Sequence, residues 1–188
     1  MIVIGNGQSR KKINLNNYNE LKIGCNAIIR DFHVDHLVCC DKKMVKQALL
    51  QGYSPVYTRD RWISDFDSPH VIKLPDLPYT GDKRMDKPFH WGSGPYAVLL
   101  ATFLSKYIKL IGFDLYGIDG KLNNVYENTS GYLKNTDDQV DWSYWVYQMA
   151  KIFEHNQDKT FHIYNLENWK LPKQWNFNNI KVDNIENL

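Results

Sequence analysis

The chain begins Met1-Ile2-Val3-Ile4-Gly5-Asn6-Gly7-Gln8-Ser9, a short apolar run that ends directly in a glycine turn. Four apolar residues bounded by glycine are typical of a strand that is buried on both faces, as in a parallel sheet. Glycines permit a tight turn, and backbone N–H groups in such a turn can face a phosphate. The stretch therefore predicts an α/β domain with a first candidate nucleotide site at Gly5 to Ser9. The turn is equally compatible with a purely structural role, because it matches neither G-x-G-x-x-G nor a P-loop.

Strand and helix patterns alternate along most of the chain. Short apolar runs predict further strands at Leu21 to Cys25, His36 to Cys40, Val56-Tyr57, Val71 to Leu74, Tyr107 to Gly112 and Phe161 to Tyr164. Helical spacing predicts helices over Lys43 to Gln51 and Pro95 to Leu104, whereas the Pro- and Gly-rich segment from Leu74 to Tyr96 predicts irregular structure. Alternation of this kind predicts a mostly parallel sheet with helices on both faces.

The last third of the chain predicts one more helix and a tail. Thr136 and Gln139 have the spacing of a capping box, after which an apolar stripe continues to Phe153. We expect one domain over residues 1–168, followed by a tail at 169–188 that packs on the domain or on a partner subunit. A length of 188 residues suits a single core.

Composition limits the classes of partner. The net charge is +2 and no long block of one sign occurs, so nucleic acid is not an expected partner. The three cysteines are expected to be buried strand residues, and no metal site is predicted. No export signal and no membrane span is recognisable, which predicts a cytoplasmic protein. The many Asn, Lys and Ile residues suit the AT-rich genome of a phage or a low-GC bacterium.

Polar residues follow several of the predicted strands. Asn26 follows the second strand and Asp41 the third, while Asp114 follows the strand that ends at Gly112. In open parallel sheets, ligands bind at the carboxyl ends of the strands. Asn26 and Asp41 can bond a ribose or a base edge, although each can also cap a helix. Ser93-Gly94 at a helix start predicts a second anion site or an ordinary N-cap.

In this order, the motifs resemble those of the bacterial sialyltransferases of glycosyltransferase family 42. More distantly they resemble the pterin-pyrophosphokinase-like proteins that share a Rossmann-like core. The resemblance covers residues 1 to about 165 and lies in Gly5 to Ser9, with Gln8 replacing a proline, Cys25-Asn26, Asp41 in place of an Asn, Gly92-Ser93-Gly94, and Gly112 to Tyr116. It implies a Rossmann-like fold, a CMP-sugar donor and no separate cofactor.

The resemblance also implies site residues. The nucleotide part of the donor would be held by Gly5, Asn6, Gly7, Ser9, Asn26, Asp41, Ser93, Gly94 and Asp114. Tyr116 and its partner Tyr126 would stabilise the departing phosphate by hydrogen bonding, without a metal ion. The implied reaction is transfer of the sugar to an acceptor hydroxyl of unknown identity.

One departure from the family concerns the catalytic base. Gly131 to Asp137 resembles the family segment Gly-His-Ser-Lys-Asn-Thr-Asp, in which the histidine deprotonates the acceptor, but Tyr132 stands at that position. A tyrosine with a pKa of ~10 is a poor base at neutral pH. His90, ahead of the Ser-Gly turn, is a candidate replacement. Two alternatives to a transferase remain: a nucleotide-binding or interaction module derived from this fold, and a Mg²⁺-dependent pyrophosphokinase-like enzyme.

Overall fold

The computed structural model describes all of residues 1–188 and contains a single sheet of eight parallel strands. The spatial order of the strands is β5-β4-β3-β2-β1-β6-β7-β8. Their bounds are β1 Ile2–Ile4, β2 Lys22–Cys25, β3 His36–Val38, β4 Val56–Thr58, β5 Val71–Lys73, β6 Tyr107–Ile111, β7 Thr160–Asn165 and β8 Ile180–Asn184. The predicted α/β, Rossmann-like single domain is confirmed.

Three α-helices cover the two faces of the sheet: α1 (Lys42–Leu50), α2 (Ser93–Leu104) and α3 (Ser143–His155). Side chains of β1 alternate between the faces. Val3 belongs to the core cluster that includes residues of α2 and α3, whereas Ile2 and Ile4 belong to the cluster that includes residues of α1. Helices on both faces are therefore confirmed. None of the helices has the length and apolar character of a membrane span.

The capping-box prediction at Thr136 and Gln139 is wrong. Helix α3 begins seven residues after Thr136, at Ser143, whose N–H donates to the side chain of Asp141 at 2.9 Å. The Gln139 carboxamide instead accepts a hydrogen bond from the N–H of Gly117 at 2.9 Å. The Gln139 side chain therefore stabilises an irregular loop and does not cap α3, because its contact with the distant Gly117 outweighs the local sequence pattern.

The C-terminal tail is the last part of the sheet. Strand β8 pairs in parallel with β7 along its whole length. Ahead of it, Trp175 is fully buried, lies 5.3 Å from Phe153 between ring centres, and donates from its indole N–H to the Val146 carbonyl at 2.8 Å. Residues 169–188 therefore close one edge of the domain and contribute to its core.

The order of the strands defines where a ligand can bind. From β1 the chain moves to one side through β2, β3, β4 and β5, and then returns to the other side of β1 as β6. The connection from β1 to β2 and the connection from β6 to β7 therefore pass over opposite faces of the sheet. A crevice at the carboxyl ends of such neighbouring strands is the usual ligand site of an open α/β sheet.

Candidate functional site

A cleft of about 420 Å³ opens at the carboxyl ends of β1, β2, β3 and β6. Its volume lies in the range of small-molecule sites. The fold brings together in its wall most of the residues that the sequence singles out: Gly5, Asn6, Gly7, Asn26, Asp41, Ser93, Gly94, Asp114 and Tyr132. Ser9, His90, Tyr116 and Tyr126 do not line it.

The glycine turn after β1 has few free N–H groups, contrary to the expectation from the sequence. The N–H groups of Gly5 and Gly7 donate to the carbonyls of Ile111 and Gly112 at 2.8 and 2.9 Å. A Cβ on Gly5 would come within 2.3 Å of the Gly112 oxygen, so glycine is needed for this close approach of two turns. The Asn6 N–H is the one in this turn without an acceptor in the protein.

Asp114 holds the backbone of this turn in place by hydrogen bonds. It is buried, and its two carboxylate oxygens accept hydrogen bonds from the Ser9 N–H, at 2.8 Å, and from the Ser9 hydroxyl. A Cβ on Gly7 would lie 2.3 Å from the Asp114 carboxyl carbon. Asp114 and Ser9 therefore fix the backbone of the turn and leave little capacity for a ligand, although both were expected to bind the nucleotide.

The start of α2 has the free donors that the glycine turn lacks. Gly92 is the N-cap, Pro95 has no N–H, and the Tyr96 N–H already donates to the Gly92 carbonyl at 3.1 Å. The N–H groups of Ser93 and Gly94 have no acceptor in the protein. They lie in the cleft wall at the positive end of a 12-residue helix.

A hydrogen-bonded chain orders the neighbouring side chains. The Cys40 N–H donates to the Ser93 hydroxyl, which donates to Asn26 Oδ1, each at 2.9 Å. Asn26 has a φ of +53°, a left-handed conformation that asparagine tolerates better than most residues. Its Nδ2 group is left without an acceptor in the protein. The turn at the end of β2 therefore holds an amide donor in the cleft.

Two further side chains add acceptors. Asn6 donates from Nδ2 to the Cys25 carbonyl at 3.4 Å, and its Oδ1 is buried without any hydrogen-bond partner. Asp41 caps α1, accepting from the Lys43 N–H at 2.8 Å with one oxygen, and its other oxygen has no partner in the protein. No lysine, arginine or histidine lines the cleft. An anion here would be held by N–H and amide groups rather than by side-chain cations.

Tyr132 reaches the cleft but is poorly suited to act as a base. Its hydroxyl accepts a hydrogen bond from the Ala27 N–H at 3.4 Å. Burial, assisted by the neighbouring Cys25, raises the pKa of the Tyr132 phenol well above its ordinary value. A higher pKa makes the phenolate scarcer at neutral pH. Tyr132 is therefore a poorer general base in this structure than a free tyrosine would be.

The other expected catalytic residues have structural surroundings. Tyr126 is buried, donates to Asp31 at 2.7 Å and accepts from Arg10 at 2.6 Å, and burial raises its pKa. Tyr116 packs edge-on against Trp142, with ring centres 5.2 Å apart. His90 lies in a 3-10 turn, and its carbonyl accepts from Gln148 at 2.9 Å. As the structure stands, none of these three residues reaches the cleft.

The far wall of the cleft was not predicted. It includes Asn123 and Asn124, which tie the loop before Tyr126 to the glycine turn. Asn123 accepts from the Gln8 N–H at 2.8 Å, and the Asn124 carbonyl accepts from the Gln8 side chain at 3.0 Å. Two adjacent asparagines after the Asp119-Gly120 turn are the one signal in the sequence that points to this wall.

Comparison of the chain with models of protein families, with curated proteins and with solved structures found no match. The resemblance to family 42 therefore rests on the motifs quoted above. No three His, Cys, Asp or Glu side chains come together as a metal site requires.

Proposed function

We propose that the cleft binds a CMP-sugar or a related nucleotide sugar, and that the chain is a sialyltransferase-like glycosyltransferase that uses no metal. The observation that carries the proposal is the pair of unpartnered N–H groups of Ser93 and Gly94 at the start of α2. Backbone donors at a helix N-terminus are a general phosphate site. The free Nδ2 group of Asn26 beside them suits the hydroxyls or base edge of a nucleotide.

The same donors would assist the transfer. When the bond between the sugar and the phosphate breaks, its electron pair passes to the phosphate oxygen. N–H groups that are fixed before the reaction stabilise that charge without reorganisation. The acceptor hydroxyl would attack the opposite face of the sugar and lose its proton to a base. Among the lining side chains, Asp41 has the free carboxylate oxygen that can accept this proton.

A second candidate function is a nucleotide-binding module without transferase activity. The raised pKa of Tyr132, which follows mainly from burial, favours it, because the group at the position of the family's base is held in its neutral form. The two candidates share the nucleotide site and differ in turnover. Binding of CMP without hydrolysis or transfer from CMP-sialic acid would support the module.

The nucleotide site can be tested with a glycine substitution that preserves the backbone. We expect Asn26→Gly to weaken CMP binding roughly tenfold, because it removes the amide but keeps the left-handed φ that glycine accepts. Isothermal titration with CMP measures this change. Asn128→Gly is the matched control, since Asn128 has a φ of +64° and lies outside the cleft. If the wild-type protein binds no CMP and does not turn over CMP-sialic acid, the proposed function is wrong.

A further inference from the structure

A second pocket, of about 250 Å³, lies beside the cleft at the carboxyl ends of β4 and β5. Arg59 and Arg61, which follow β4, line it together with Phe89 from the irregular segment between β5 and α2. The first turn of α2 separates the two cavities, because Gly94 and Pro95 line the cleft whereas Tyr96 lines the pocket. A ligand in the pocket would therefore lie next to the proposed phosphate site.

The two arginines converge on one aromatic ring. Their guanidinium carbons lie 4.8 Å (Arg59) and 4.1 Å (Arg61) from the centre of the Phe89 ring. Neither guanidinium forms an ion pair with a carboxylate. Two positive charges on one aromatic ring repel each other, and an anion bound to both guanidinium groups would relieve that repulsion.

The remaining charges of the pocket do not neutralise this pair. Lys73 is engaged with Asp76 at 2.9 Å, so these two opposite charges balance each other. Asp60 is the other acid in the wall and forms no ion pair. The wall therefore keeps a net positive charge, with both unpaired guanidinium groups on the Phe89 side.

Arg59 is held in place while its charge stays unpaired. One of its terminal nitrogens donates to the Trp91 carbonyl at 2.9 Å, and its Nε is buried without a hydrogen-bond partner. Arg10 differs in this respect, because its buried guanidinium forms an ion pair with Asp31 at 3.1 Å. A partly buried cation without a counter-ion is costly unless a ligand supplies the counter-ion. Arg61 is exposed and makes no hydrogen bond in the protein, so its donors are free.

We infer that this pocket binds the oxyanion, carboxylate or phosphate, of an acidic sugar through Arg59 and Arg61. The planar guanidinium groups match the geometry of either oxyanion. That the ligand is a sugar, and serves as the acceptor, rests on the proposed function. The anion site itself rests on the charges and contacts of the pocket.

The test uses three sugars that differ in one group: glucuronate, glucose 6-phosphate and glucose. By isothermal titration we expect at least one of the two acidic sugars to bind, more weakly as salt is raised, and more tightly than glucose. Arg61→Gln should weaken that binding at least about tenfold. Arg84→Gln, at an exposed arginine outside the pocket, should leave it unchanged. Acidic sugars that bind no more tightly than glucose, or equal binding by Arg61→Gln, would overturn the inference.

Titration of the same variants with CMP separates this inference from the proposed function. Arg61 does not line the cleft, so Arg61→Gln should bind CMP as the wild type does. If the wild-type protein neither binds CMP nor turns over CMP-sialic acid, but its binding of the acidic sugar still depends on Arg61, the proposed function fails and the anion site stands. If CMP binds and the acidic sugars do not, the pocket inference fails alone.

Discussion

At the scale of single residues, the glycine turn is held by Asp114, a buried carboxylate contributed by the loop after β6. Both of its oxygens are engaged by Ser9, which ties the end of β1 to the end of β6. These two strands flank the point where the chain connections diverge. One side chain therefore fixes the floor of the cleft, although the sequence suggested that Asp114 would bind a ligand.

Replacing Asp114 tests this structural role. We expect Asp114→Asn to reduce the free energy of unfolding by about 2–3 kcal/mol, because the amide cannot accept both hydrogen bonds from Ser9 and leaves a buried donor unpaired. Urea denaturation measures the change. Asp119→Asn, at an exposed position with a φ of +50°, is the control and should stay within about 0.5 kcal/mol of wild type. Equal stability of Asp114→Asn and wild type would refute the role.

At the scale of elements, the irregular segment from Leu74 to Tyr96 is ordered by a buried carboxylate. Asp86 accepts hydrogen bonds from the hydroxyls of Tyr79, at 3.1 Å, and Tyr147, at 2.8 Å, and from the Lys83 N–H at 2.9 Å. Tyr147 belongs to α3, so the segment is attached to a helix of the core. This attachment positions both Phe89 of the pocket and the start of α2.

The attachment should depend on pH. Burial raises the pKa of Asp86, but hydrogen bonds from Tyr147, from the Lys83 N–H and from Tyr79 outweigh it and leave the pKa below its ordinary value. A carboxyl group with a lowered pKa in the folded state stabilises the protein above its unfolded pKa of ~3.9, and this contribution disappears as the pH falls through the folded value. We expect Asp86→Asn to cost about 1–2 kcal/mol at pH 7 and progressively less below about pH 4.

Denaturant unfolding of the wild type and Asp86→Asn across this pH range measures the difference. Asp82→Asn, in the same segment but exposed, serves as the control. A difference in stability that stays constant from neutral to acidic pH would show that the ionised carboxylate is not the source of the effect.

At the scale of the whole molecule, the sheet is completed by its last strand. Strand β8 and the buried Trp175 close the side of the domain next to β7 and α3. Because Trp175 packs on Phe153 within the core cluster that covers one face of the sheet, the tail is expected to unfold together with the domain.

Trp175→Ala should therefore destabilise the entire domain. We expect a loss of about 3–5 kcal/mol, the usual cost of removing a large buried aromatic side chain. Thermal unfolding followed by circular dichroism should show a single transition at lower temperature. Lys173→Ala, at an exposed position in the same 3-10 turn, should change little. A separate early transition confined to the tail would contradict this view of the domain.

Much of the fold follows from local patterns. Strand β1 is a continuous apolar run, and β2 and β6 are apolar apart from Lys22 and Lys109, which is close to the pattern that burial on both faces of a parallel sheet favours. In β7 the apolar residues are interrupted by His162. Strand β8 has mostly exposed or half-buried side chains, so its sequence shows no comparable run. The apolar stripe that ends at Phe153 predicts helix α3, but the predicted start of the helix is wrong because Gln139 accepts a hydrogen bond from the distant Gly117 N–H.

The sequence alone established which residues follow the buried strands, because apolar runs and glycine turns are local features. It could not show which donors and acceptors remain free there, since that depends on partners far away in the chain. Gly7 and Ser9 lose their N–H groups to Gly112 and Asp114, over a hundred residues later, whereas Ser93 and Gly94 keep theirs at the start of α2. Of the two anion sites that the sequence predicts, packing therefore leaves most of the free donors at the start of α2, because a hydrogen bond made within the protein is no longer available to a ligand.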